Sequence, residues 1–115
     1  MTAYALAHLR PTSPLHDDVF TYMERIQATM DPFGGRFLVH NTAAEVIEGP
    51  LDGGYVLIEF PDMDSARAWY ESDAYQAILP MRTDNIPGTA VLLQGVPEDY
   101  DAAATGRALR AAQNG

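Results

Sequence analysis

Apolar and polar positions along the chain switch between a period of two and a helical period. Residues Ala3 to Arg10 alternate, with Tyr4, Leu6, His8 and Arg10 on one side and Ala3, Ala5, Ala7 and Leu9 on the other. That pattern predicts a strand, which Pro11 and Pro14 end. Ser13 stands where a helix cap belongs, with Pro14 at the first helical position and Asp17 and Asp18 in the first turn. Val19, Phe20, Met23, Ile26 and Met30 follow at helical spacing, so this helix is expected to bury one stripe. Pro32 and the pair Gly34-Gly35 stop it.

A second strand is expected from near Arg36 through Phe37, Leu38, Val39 and His40, resuming at Ala44 to Glu48 after a kink or bulge around Asn41 and Thr42. The run Gly49-Pro50-Leu51-Asp52-Gly53-Gly54 is a turn by composition. Tyr55 to Phe60 forms a third strand, apolar enough to be central, and Pro61 breaks it. Asp62 can cap the next helix, whose buried stripe is Met63, Ala66, Trp69 and Tyr70. Ser72 and Asp73 interrupt that helix and can cap a further one carrying Tyr75, Ile78 and Leu79. Pro87-Gly88 turns the chain into a fourth strand, Thr89 to Gln94. The order β-α-β-β-α-β is the ferredoxin-like arrangement, an α+β domain whose helices cover one face of an antiparallel sheet. This domain is expected over residues 1–96. An acidic and then alanine-rich tail occupies residues 97–115. It could form a helix from about Asp101, but it has few large apolar residues to dock and is expected to be mobile or to lie against a partner subunit.

Alternation also sorts the two sheet faces. Phe37, Val39, Val56, Ile58 and Phe60 suit packing under the helices. Arg36, Leu38, His40, Tyr55, Leu57 and Glu59 share the opposite side, and Tyr4, Leu6 and His8 are assigned to it as well. The small Ala3, Ala5 and Ala7 then lie beneath the helices. A single bulge would reverse these assignments locally. The open face mixes leucines and tyrosines with polar groups, and left bare it would expose a large apolar patch. Two such sheets closing into a shared barrel would cover it, which predicts a homodimer.

Composition narrows the partners. A chain of 115 residues has room for one hydrophobic core. A net charge of −9 disfavours nucleic acid and anionic lipid as partners, although its first consequence is solubility. The absence of cysteine removes disulfides, thiolate metal sites and a thiol nucleophile. Neither a signal peptide nor an apolar run of the ~18 residues a membrane span needs is visible, so a cytoplasmic location is expected.

Several separated blocks resemble one family in order: Gly34-Gly35-Arg36-Phe37-Leu38-Val39, Glu45-Val46-Ile47-Glu48-Gly49, Val56-Leu57-Ile58-Glu59-Phe60-Pro61, Ala66-Arg67-Ala68-Trp69-Tyr70-Glu71-Ser72 and Ala74-Tyr75-Gln76. Together they are similar to the family named domain of unknown function 1330, within the dimeric α/β-barrel superfamily. The resemblance covers roughly Tyr4 to Val96. It implies a ferredoxin-like fold and homodimerisation, and no catalytic residue. Two departures stand out. The chain has His40-Asn41-Thr42-Ala43-Ala44 where the family tends to a glycine-rich turn, and the tail after Pro97 is extra. A histidine and an asparagine at a strand end could mark a specialised pocket.

His40 and Glu59 form the first candidate pair, on the predicted open face of neighbouring strands. An imidazole with a pKa of about 6.5 beside a carboxylate is a plausible general base with its orienting partner; a polar pair closing the dimer is the plainer alternative. Tyr4 and His8 could face the same cavity as hydrogen-bond donor and proton shuttle, or simply fill space there. Arg36, Asn41 and Tyr55 are further candidate ligand contacts. Arg36, Arg67 and Arg82 are few among many acids, so each should have a partner. Arg82 could hold an anionic ligand at the cavity mouth, with an ordinary salt bridge as its competitor.

Trp69 and Tyr70 read as core, and the methionines as packing. His8, His16 and His40 show no close metal-binding spacing, and neither glycine pair has the setting of a phosphate loop, so no metal or organic cofactor is expected. Two functions follow. One is a cofactor-independent enzyme performing cyclisation, isomerisation or oxygenation on a small apolar or aromatic metabolite, with His40 as base, Glu59 as its orienter, and Tyr4 and Arg82 as anchors. The other is a non-catalytic ligand-binding or structural dimer module.

Overall fold

The alternating segment at the start becomes the central strand of the sheet, β1 (Ala3–Leu9), in a computed structural model that describes residues 1–115. It is followed by α1 (Asp17–Met30), a short 3-10 turn (Asp31–Phe33), β2 (Arg36–Val39), β3 (Gly54–Phe60), α2 (Met63–Glu71), α3 (Asp73–Thr83), β4 (Gly88–Gln94) and α4 (Ala102–Asn114). The strands order as β2-β3-β1-β4, and every neighbouring pair is antiparallel. With α1 and the α2–α3 pair as crossovers on one face, this is the ferredoxin-like fold.

Register fixes the faces. Ala3 lies opposite Phe60, Ala5 opposite Ile58 and Ala7 opposite Val56, and these residues face the helices. The core joins Ala3, Ile58 and Phe60 to Tyr22, Ile26 and Met30 of α1, Ala66 and Trp69 of α2, and Tyr75 and Ile78 of α3. Gly35 shows how tightly one end closes: a Cβ there would lie 2.5 Å from the Phe60 ring.

Tyr70, expected in the buried stripe of α2, is exposed, and local structure departs from the sequence expectations in three further places. First, α1 begins at Asp17 rather than Pro14, because His16 is its cap: the His16 Nδ1 accepts the Asp18 amide at 3.0 Å. Its buried stripe is Val19, Tyr22, Ile26, Thr29 and Met30, while Phe20 and Met23 remain exposed. Second, no strand forms at Ala44 to Glu48. β3 begins at Gly54, just beyond the Val39–Leu57 pair, so no partner backbone reaches that segment, and Ile47 is 91% exposed. Third, a bulge lies within β2 itself, ahead of Asn41: Phe37 opposes Ile58 and Val39 opposes Leu57, leaving Leu38 as the extra residue.

The expected caps of α2 and α3 do form. The Asp62 carboxylate accepts the Ser65 amide at 2.7 Å, and Ser72 Oγ accepts the Tyr75 amide at 3.3 Å. In the tail, Asp101 caps α4 by accepting the Ala103 amide at 3.0 Å, and no residue of α4 is buried. No helix is long and apolar enough to cross a membrane.

Candidate functional site

Three alanines open a space between sheet and helices. Ala5 and Ala7 of β1 and Ala90 of β4 form part of its floor beside Val56, Ile58 and Leu92. Side chains this small cannot fill the gap beneath Val19, Tyr22 and Ile26 of α1, Trp69 of α2 and Tyr75 of α3. A cavity of 520 Å³ remains. Pro11, Leu15, His40, Asn41 and Thr42 surround the end where β1 finishes and β3 and β4 begin. Of the 26 lining residues 20 are hydrophobic; Arg82 alone carries a permanent charge, and no Asp or Glu is among them.

The polar chemistry of this interior is one cluster. The Tyr22 and Tyr75 hydroxyls are 2.8 Å apart, and Arg82 Nε donates to the Tyr22 hydroxyl at 3.3 Å. The guanidinium also lies over the Tyr22 ring, 5.8 Å from its centre. Burial pushes the Tyr22 phenol well above its ordinary pKa, so it stays protonated. Burial alone would lower the Arg82 pKa, but the Tyr75 and Tyr22 oxygens more than offset it and the net shift is upward. Beside the cluster, Trp69 packs on Tyr75 with ring centres 4.2 Å apart and donates its indole N–H to Thr29 Oγ1 at 3.0 Å.

The β2 bulge decides where His40 goes. It places Val39 across from Leu57 on the open face, so the next residue turns to the cavity side, where the His40 ring lies against Phe37 at 4.8 Å between centres. The His40–Glu59 pair anticipated from alternation is therefore not assembled. Glu59 instead opposes Arg36 across β2 and β3 and accepts from its Nε at 2.9 Å. Val39, expected under the helices, is corrected to the open face for the same reason.

Most of the remaining candidates lie on the open face, away from the cavity's polar cluster. Tyr4 sits across from Glu59 in the central register. His8 stacks on Tyr55 at 4.9 Å between ring centres, and its Nε2 lies at hydrogen-bonding distance from the Asp52 carbonyl. Tyr4 and His8 thus do not meet Arg82. Asn41 borders the end of the cavity in the left-handed region at φ 53°, a conformation asparagine tolerates better than most residues. Tyr55 also borders that end. Arg67 has the partner expected of it, Asp64 at 3.3 Å, whereas Arg82 makes no ion pair and has phenols as its neighbours.

Alternation and motif spacing passed over Tyr22, the hub of the cluster. The signal that finds it is the run Val19, Tyr22, Ile26, Met30, a helical stripe as regular as the one containing Phe20 and Met23.

Comparison with known proteins places this geometry. No curated protein matches the chain in sequence. A Rhodopseudomonas palustris protein of unknown function is similar in structure, with a TM-score of 0.62 at 15% identity over 84% of this chain and 83% of that one. SnoaB, a cofactor-independent oxygenase from Streptomyces nogalater, has a TM-score of 0.52 at 15% identity over 87% of this chain and 96% of its own. A dimeric ferredoxin-like protein of unknown function from Thermobifida fusca has a TM-score of 0.56 at 16% identity over 83% and 92%. These likenesses establish a shared fold. In sequence, residues 2–96 match the pattern described as Domain of unknown function (DUF1330), and the chain belongs to that family.

Proposed function

We propose that the protein is a homodimer that binds an apolar or aromatic metabolite between its sheet and helices and performs cofactor-independent proton transfer on it. The observation that carries this reading is one cavity with apolar walls, a hydrogen-bonded guanidinium–phenol cluster in its interior and an imidazole at its end. Arg82, Tyr22 and Tyr75 hold the polar end of the ligand. His40 takes a proton from an acidic C–H or O–H elsewhere on the ligand. The resulting anion is delocalised over the ligand's conjugated system, from which cyclisation, isomerisation or reaction with dioxygen can follow. Support at the level of the fold comes from SnoaB, described as a cofactor-independent oxygenase. Glu59 leaves the catalytic assignment, and Tyr4, His8 and Arg36 leave the ligand contacts. Their place on the open face suits contact with a second subunit, as does the likeness to a protein described as dimeric.

The test is solvent deuterium exchange, followed by NMR, into enolisable aromatic ketones and phenols that bind the protein. Exchange catalysed by the wild type and lowered about 10²- to 10⁴-fold in His40→Ala is expected. Bound compounds that never exchange would instead favour the non-catalytic binding module. One observation speaks for that second reading: no side chain hydrogen-bonds His40, so nothing fixes its tautomer.

A further inference from the structure

We infer that the cavity selects ligands bearing a carboxylate and seats that group on Arg82, an inference that rests on reading the cavity as a ligand site. Charge is the first argument. The protein carries a net charge of −9, yet its cavity lining contains a guanidinium and no acid. Arg82 is 8% exposed, and no Asp or Glu lies within ion-pair distance of it. A desolvated cation without a counter-charge is costly, and a ligand anion entering the cavity would remove that cost.

Geometry is the second argument. Arg82 Nε donates to Tyr22, and the Tyr75 oxygen also lies beside the guanidinium. Arg82 lines the cavity, so its guanidinium is within reach of a molecule bound there. A planar fork whose terminal nitrogens make no close hydrogen bond to a carboxylate or carbonyl of the protein matches the two oxygens of a ligand carboxylate, whereas a single phenolate or carbonyl oxygen would use only part of it.

The phenols extend the seat. Tyr22 accepts from Arg82, and when it passes its own proton to the Tyr75 oxygen, the Tyr75 hydroxyl hydrogen is left to point at the ligand. Apolar walls then receive the remainder of the molecule, so the ligand is an acid with a hydrophobic or aromatic body.

Trp69, the chain's one tryptophan, lines the cavity and reports occupancy by its fluorescence. The probes are 6-phenylhexanoate and its uncharged counterpart 6-phenylhexanol, titrated into the full chain. Preference for the acid by about 10- to 100-fold in dissociation constant is expected. Arg82→Met should abolish that preference while still binding the alcohol, and Arg82→Lys should keep part of it. Should Arg82→Met not fold, Tyr75→Phe supplies the second reading: weaker binding of the acid with binding of the alcohol unchanged. Equal binding of acid and alcohol by the wild type overturns the carboxylate seat and leaves the cavity reading in place. Binding of neither probe overturns both.

Discussion

Tyr22 holds together the polar part of an otherwise apolar interior. Its hydroxyl contacts both Tyr75 and Arg82, at 2.8 and 3.3 Å. Tyr22→Phe keeps the ring and leaves a phenol and a cation short of a partner, which should cost about 1–3 kcal/mol in urea denaturation. The same residue gives stability a pH dependence. Burial raises the folded-state pKa above the unfolded value of 10.0, so above that pH the folded protein keeps a proton that the unfolded chain releases. The unfolded state then binds fewer protons, and stability falls as pH rises. The contribution is complete below pH 10.0 and is lost above it. In Tyr22→Phe the alkaline fall should be shallower; an unchanged slope would contradict the assignment. The sequence hid this residue for a physical reason. Phe20 and Met23 are large and apolar and compete for the same inward stripe, and only docking on the sheet decides that the helix turns Tyr22 inward.

At the scale of elements, the β2 bulge and the alanine floor together make the site. The succession of strands and helices along the chain and the caps at Asp62 and Ser72 were legible because each depends on local chemistry: alternation, a breaking proline, a side-chain oxygen near a free amide. The bulge at Leu38 was not. Its signature is a register shift between Phe37 and Val39, which exists only once β3 is in place. One extra residue moves His40 from the open face to the cavity and leaves Glu59 with Arg36, so the anticipated catalytic pair dissolves while the histidine itself stays useful. The floor can be tested directly. Ala7→Leu should fill the cavity without disturbing the strand, so binding of 6-phenylhexanol should weaken at least tenfold while the melting temperature holds or rises. A melting temperature that drops with binding unchanged would show that the space is not where the ligand goes.

For the whole molecule, burial is incomplete in a way that asks for a second copy. Only 14 of 115 residues are buried, and the sheet face away from the helices leaves Leu38, Tyr55, Val91 and Leu93 exposed. Leu6, opposite both Leu57 and Val91, lies at the centre of that face. Leu6→Asp would place a charge at the centre of the face proposed to meet a second copy, and size-exclusion chromatography with light scattering should find a monomer. The measurement that bears most directly on the whole account is native mass spectrometry of the full chain, before and after incubation with 6-phenylhexanol. A dimer that takes up one small molecule per subunit is the predicted species. A bare monomer that takes up none would contradict both the shared sheet face and the ligand cavity.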